Sequence, residues 1–197
     1  GEICLHWRRA VARPISGETM QAVLPAQDRA DIARWRAAGQ GAPGSCAAAV
    51  LEAVLAEAPR AEAGALILAE AALAQSLGWA RITPVLAPGL RPRDLRRTGE
   101  DLRLACHRAI ITGAGEALRM ASDLARRAER LRAVAPKLRA RGAEAAVEMI
   151  LTVDAMTPGA LNALRSDRAA RRFCDRLVAL GVLRELTGRD SFRLYGL

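Results

Sequence analysis

Apolar side chains in this chain recur at spacings of three and four residues, the period of helices that turn one stripe toward a core. Pro and Gly punctuate that period. It predicts a helix over residues 2–12 ending before Pro14, a short turn over 18–24 before Pro25, and a helix over 27–38 with Ile32 and Trp35 on its apolar side. "GQGAPG" (39–44) is a loop by content. Ser45 is the expected N-cap of a helix reaching about Ala58. After Pro59 a second helix runs from about 61 to 77, closed by Gly78, and the two should pack as an antiparallel hairpin.

The period fails over 79–99, where Pro84, Pro88 and Pro92 predict a long irregular connection of the kind that often serves function. Thr98 and Asp101 then have the spacing of a capping box for the longest helix. Its stripe is Leu102, Cys106, Ile110, Gly113, Ala117, Ala121, Leu124, Ala128, Leu131, Ala135 and Leu138. Gly113 and Gly115 are places for a close approach by a neighbouring helix or for a break. Pro136 marks a kink or the end.

From Gly142 the pattern tightens. Residues 143–152 form a helix with Val147, Ile150 and Leu151 as core candidates. "TPGALNAL" (157–164) is expected to be a short second helix, with Thr157 as cap and Pro158 in the first turn. Ser166 caps a third helix that runs to Leu180 and stops at Gly181, and strands at about 182–187 and 191–196 join through Gly188, Arg189 and Asp190. The fold expected is therefore all-α: a multi-helix bundle with a C-terminal winged helix-turn-helix-like module carrying a short β-hairpin. Residues 1–141 would be the helical body and 142–197 the module.

Composition narrows the picture. The 197 residues suffice for a real core, and with 51% apolar but only 3% aromatic residues that core must come mainly from Ala, Leu and Val, as suits helices. The start "GEIC" lacks an initiator Met and is expected to lie inside a longer protein. No stretch reaches the ~18 apolar residues needed to span a bilayer; "GALILAEAALAQSLG" is interrupted by Glu70 and Gln75. The cysteines, at 4, 46, 106 and 174, form no C-x-x-C pair, so the expectation is reduced thiols in a cytoplasmic protein.

The net charge of +9 is concentrated in the middle, where residues 81–141 carry 15 Arg or Lys against 6 acids. Five arginines (Arg91, Arg93, Arg96, Arg97 and Arg103) lie between residues 91 and 103, and Arg119, Arg126, Arg127, Arg130, Lys137 and Arg139 line the long helix away from its stripe. Such a surface suits a polyanion, although Lys137 is the sole lysine and an arginine-favouring genome explains part of the bias. At ~100° per residue, Phe173, Leu177 and Leu180 share one side of the last helix, while Arg165, Arg168, Arg171, Arg172 and Arg176 share the other. A helix that enters a major groove needs this division, and Arg189 and Arg193 would sit where a wing meets phosphates. Double-stranded DNA is the expected partner. Asp175 within the basic face supports a rival: a helical scaffold that self-associates through the 98–135 stripe, with the hairpin as a packing or docking unit and a homodimer or protein as partner.

No catalytic constellation emerges. Cys106 and His107 are helix neighbours pointing ~100° apart, so they cannot converge on one substrate or metal. "TGAGEA" lacks the lysine and preceding strand of a phosphate loop, and Glu100 and Asp101 suit a helix dipole. His6, beside Trp7, is a surface or interface position. The expectation is a non-enzymatic protein without cofactor or metal.

"WRRAVARP", "RRTGEDLRLACHRA", "LRAVAPKLRARGAEAAV" and "DRAARRFCDRLVALGVLRELTGRDSFRLYGL" resemble a bacterial family, domain of unknown function 1403, found chiefly in alphaproteobacteria. The resemblance spans almost the whole chain and implies a family N-terminal helical portion that this chain lacks. It carries no activity or site residues. "GVLRELTGRDSFRLYG" is also similar to the winged-helix ending of many Fic-type bacterial proteins, but the Fic catalytic motif is absent.

Overall fold

The computed structural model describes the chain except for residues 25, 26, 28 and 189–191. Among the described residues it is mostly helical, with one small two-stranded hairpin near the C-terminus. Its contacts divide it into two compact units, Gly1–Ala117 and Leu118–Leu197.

The first unit is built on α4 (Pro43–Glu57) and α5 (Glu62–Ser76), which pack along one another across the short 58–61 connection. Nearly every residue of α5 from Gly64 to Ala74 is buried, so it is a central helix with no polar stripe. Around it lie α1 (Glu2–Ala12), α2 (Gly17–Val23) and α3 (Arg29–Ala37), whose Ala10, Met20, Ile32 and Trp35 join Val50, Leu51 and Leu68 in one core. Trp7 is half-buried against the same core. The Trp35 indole N–H donates to Glu57 Oε2 at 3.1 Å, which satisfies its one polar atom. Ser16, rather than a residue inside 18–24, caps α2 by accepting from Thr19 N–H at 3.0 Å. Ser45 is not the cap of α4. That helix begins three residues earlier than such a cap implies, at Pro43 after Ala42, because Pro43 suits a first turn that has no use for its missing N–H.

Residues 79–99 are irregular, as their prolines predict, but they are pinned. Ile82, Val85 and Leu86 are buried, and 3-10 turns form at Ala87–Gly89 and Asp94–Arg96. The carboxylate of Glu70, buried in α5, accepts from the backbone N–H groups of Leu86 and Ala87 at 2.8 and 2.9 Å. Gly113 does permit a close approach, by this loop and not by a helix: a Cβ there would lie 1.9 Å from the Val85 carbonyl oxygen. Gly99, at the start of α6 (Gly99–Val134), donates its N–H to Glu52 Oε1 at 2.7 Å.

The apolar stripe predicted along α6 is not continuous in burial. Leu102, Cys106, Ala109 and Gly113 are buried and Leu131 is buried again, but Ala121 and Leu124 are exposed. The first core takes Leu102, Cys106 and Ala109, while Leu131 belongs to the second. This is why the units divide inside α6 and not at Gly142, where the composition changes. The helix ends before Pro136, and a 3-10 turn occupies Ala135–Lys137.

In the second unit, α7 (Ala143–Thr152) and α8 (Asp167–Ala179) enclose a core of Ala146, Val147, Ile150, Phe173, Leu177 and Tyr195. Gly142 starts α7 from a left-handed φ of 86°, and the Ala163 carbonyl oxygen would lie 2.1 Å from a Cβ there. The segment 157–164 is not a helix. Only Pro158–Ala160 forms a 3-10 turn, with Thr157 before it making no side-chain cap, and the turns beyond it bury both Leu161 and Leu164. A 3-10 turn advances ~2 Å per residue against 1.5 Å, which lets a short segment cover the span.

The hairpin is shorter than predicted: β1 (Arg184–Glu185) pairs antiparallel with β2 (Tyr195–Gly196). Beyond it Leu194 N–H bonds Thr187 Oγ1 at 3.1 Å, a side chain replacing a ladder carbonyl. On the other edge of β2, Met156 and Tyr195 exchange two backbone hydrogen bonds of 2.9 Å. Among the described residues no helix is long and apolar enough to cross a membrane.

Candidate functional site

The last helix is where the sequence places its candidate chemistry. Ser166 caps α8 by accepting from Ala169 N–H at 3.3 Å, and Asp167 complements the positive helix end. Ala170, Phe173, Cys174 and Leu177 face the core, so the geometry of the helix sets the remaining positions outward.

Those outward positions divide into two edges. On one, Asp167 pairs with Arg171 (3.7 Å), and Asp175 meets both Arg193 Nη1 (3.7 Å) and the Tyr195 hydroxyl, which donates to it at 3.3 Å. Arg193 also approaches Glu185 at 3.7 Å. Asp167, Arg171, Asp175, Arg193 and Tyr195 border a cleft of about 370 Å³ that Thr157, Gly159 and Phe192 help to line. Burial pushes the Tyr195 hydroxyl above its ordinary pKa, with Arg193 pulling the other way. The other edge carries Arg168, Arg172 and Arg176, four residues apart, all exposed and without a carboxylate partner among the described residues. Arg165, before the helix, is exposed likewise. A shallow groove floored by Leu138, Ala169 and Phe173 brings Arg139 beside Arg172 and Arg176.

The structure thus separates the arginines that the sequence grouped. Arg168, Arg172 and Arg176 form a row without carboxylate partners among the described residues, with Arg165 exposed just before the helix, whereas Arg171 and Arg193 lie among carboxylates on the hairpin side. Arg189 lies outside the described residues. Asp175 interrupts the basic face less than its place in the sequence implies, because Arg193 and Tyr195 engage it. Arg139 and the Met156–Tyr195 pairing went unforeseen as companions of α8. The 138–141 segment lies outside any helix, so periodicity could not align Arg139 with that row.

Elsewhere the charge is partly answered locally. Arg97 pairs with Asp94, Arg103 with Glu100, and Arg126 and Arg127 share Asp123. Arg91, Arg93 and Arg96 are exposed. Cys46, Cys106 and Cys174 are buried and Cys4 is exposed, all as free thiols. Burial pushes Cys106 and Cys174 up to about 12 each, assisted by Asp94 and Asp175 respectively, which opposes the thiolate a nucleophile needs. His107 lies against the backbone of Gly44, where a Cβ would meet its ring at 2.6 Å, while Cys106 belongs to the core. Among the described residues no group of three or more His, Cys, Asp or Glu side chains is placed to hold a metal ion.

No curated protein and no solved structure matches this chain. A family model described as "Protein of unknown function (DUF1403)" matches residues 1–197, the whole chain, and the protein belongs to that family.

Proposed function

We propose that this protein is a non-enzymatic nucleic-acid-binding or regulatory protein that contacts duplex DNA through a winged-helix-like C-terminal unit. The observation that carries the reading is the row Arg168, Arg172 and Arg176, exposed and without carboxylate partners among the described residues, on a helix whose opposite face is locked into a core. Two features of the unit support it. The order of helix, extended Met156, 3-10 turn, capped helix and hairpin is similar to the order expected of a winged helix, with one 3-10 turn in the place of its second helix. Arg139 also extends the basic row beyond the helix.

In this reading the row of α8 approaches the groove, its guanidinium groups reach base edges and phosphates, and Arg139 takes an adjacent phosphate. The hairpin-side edge, with Asp167, Asp175 and Glu185, is turned from the DNA, and Arg171 and Arg193 serve mainly to hold those acids. Anisotropy titration of a labelled duplex at graded salt tests this. Neutralising three to four phosphates predicts a log K against log salt slope of about −3. Replacing Arg168 and Arg172 by Ala lowers affinity and reduces the slope by about 2, while replacing Arg171 changes either little. Equal binding by the Arg168→Ala/Arg172→Ala variant, or no binding at low salt, overturns the reading.

A further inference from the structure

We infer that Arg126, Arg127 and Arg130 form a binding site for a phosphate dianion, either free phosphate or the terminal group of a small phosphomonoester. The three side chains, with Asp123 and Gly181, line a cavity of about 190 Å³. Every one of these residues belongs to the unit Leu118–Leu197. Their convergence follows from the segment "DLARRAER" (123–130). At ~100° per residue, Arg126, Arg127 and Arg130 all fall within about 60° of Asp123 on α6, whereas Glu129 points about 120° away from it. Gly181 follows α8 with a left-handed φ of 67° and brings no side chain, so the cavity stays open beside it.

Asp123 does not neutralise this group. Its Oδ2 accepts from Arg127 Nε at 2.9 Å, and its Oδ1 accepts from Arg126 Nη2 at 3.5 Å, the outer limit of a hydrogen bond. One carboxylate is thus shared by two guanidinium groups. Arg130 is exposed and has no carboxylate partner among the described residues. The Asp123 carboxyl is held below its ordinary range by Arg127 first, then by Arg126 and Arg184, so Arg184 of β1 adds its charge to the same field. Three guanidinium groups against one carboxylate leave the lining with two surplus positive charges, a match for a phosphate dianion and not for chloride or a phosphodiester. Guanidinium forks also fit the geometry of phosphate oxygens. The volume equals that of roughly six waters at ~30 Å³ each, enough for one phosphate group with part of its hydration. A duplex presents singly charged diesters on a convex surface, a poorer match to this concavity. The site uses none of Arg168, Arg172 and Arg176, so it does not depend on the DNA reading.

Calorimetric titration of the full chain at constant ionic strength, with chloride as the balancing anion, tests the inference. Inorganic phosphate and a nucleoside 5′-monophosphate are titrated separately, and dimethyl phosphate stands for the diester. Saturable binding of a dianion is expected, at least tenfold tighter than that of dimethyl phosphate, and the tighter of the two dianions identifies the source. Arg130→Ala weakens binding about tenfold, with helicity by circular dichroism unchanged because the position is exposed. Asp123→Asn tightens binding by a similar factor, since it removes the opposing charge, a gain that a merely structural ion pair would not give. Absence of saturable heat with both dianions, binding that Arg130→Ala leaves intact, or an Asp123→Asn variant that binds no tighter overturns the site. If neither dianion binds while Arg126→Ala/Arg130→Ala lowers duplex affinity, these arginines are contacts to the DNA backbone and the inference fails.

Discussion

Glu70 shows how one residue can organise a segment far from it in sequence. Its Oε1 receives two backbone N–H groups of the 79–99 connection, while its Oε2 is buried without a hydrogen bond among the described residues. Burial pushes the carboxyl above its ordinary range, and the backbone donors pull it back only in part. A carboxyl held above its unfolded value favours the folded state most below that unfolded value. The contribution is lost as pH rises through the folded pKa. A Glu70→Gln variant keeps the shape and lacks the titration. Thermal unfolding measured against pH is therefore expected to move in favour of Glu70→Gln, relative to the parent, as pH rises from acid to neutral. A pH-independent difference would show that Glu70 does not titrate differently on folding. In the sequence Glu70 is visible only as an interruption of an apolar run. Nothing in the local pattern shows that a loop would bring donors to it, because the partners lie 16 and 17 residues on.

At the scale of elements, the helices were legible wherever their own side chains decide the outcome. The capped α8, the proline-bounded α1 and the long α6 follow from caps, breakers and period. Segments governed by what packs against them were not. "TPGALNAL" has a cap residue, a proline and two leucines suited to a helix, yet tertiary packing draws both leucines inward through a 3-10 turn. The two edges of α8 were likewise hidden: their difference depends on Tyr195 of β2 and Arg193 just before it arriving beside Asp175, and on Arg139 arriving from the 138–141 segment. Gly113 belongs to this class as well. Gly113→Ala would gain helix propensity, roughly 1 kcal/mol, but its methyl would meet the Val85 backbone. Forcing the loop aside reverses the sign, with a net loss of about 1–3 kcal/mol, measurable by chemical denaturation. A more stable Gly113→Ala variant would show that the loop yields there.

For the whole molecule, the informative fact is that the buried residues form two separate clusters. Composition alone could not show this, since alanine, leucine and valine supply both cores and the charge changes at a different place from the packing. Each cluster can respond to damage by itself. Phe173 is buried within the second, and Phe173→Ala removes most of a large side chain from it at a cost of about 3–5 kcal/mol. Unfolding of Leu118–Leu197 should shift by that amount while protection of α5 amides, followed by hydrogen exchange, stays unchanged. A uniform loss of protection along the chain would show that the two clusters unfold as one.

The placement of aromatic residues gives this division an optical signature. All three tryptophans, Trp7, Trp35 and Trp79, lie before Ala117, and the one tyrosine, Tyr195, is sealed beside Asp175 in the other unit. Indole emission therefore records the environment of the first unit, and near-ultraviolet tyrosine dichroism records that of the second. The native chain carries its own pair of spectroscopic labels, one for each half, with no dye attached.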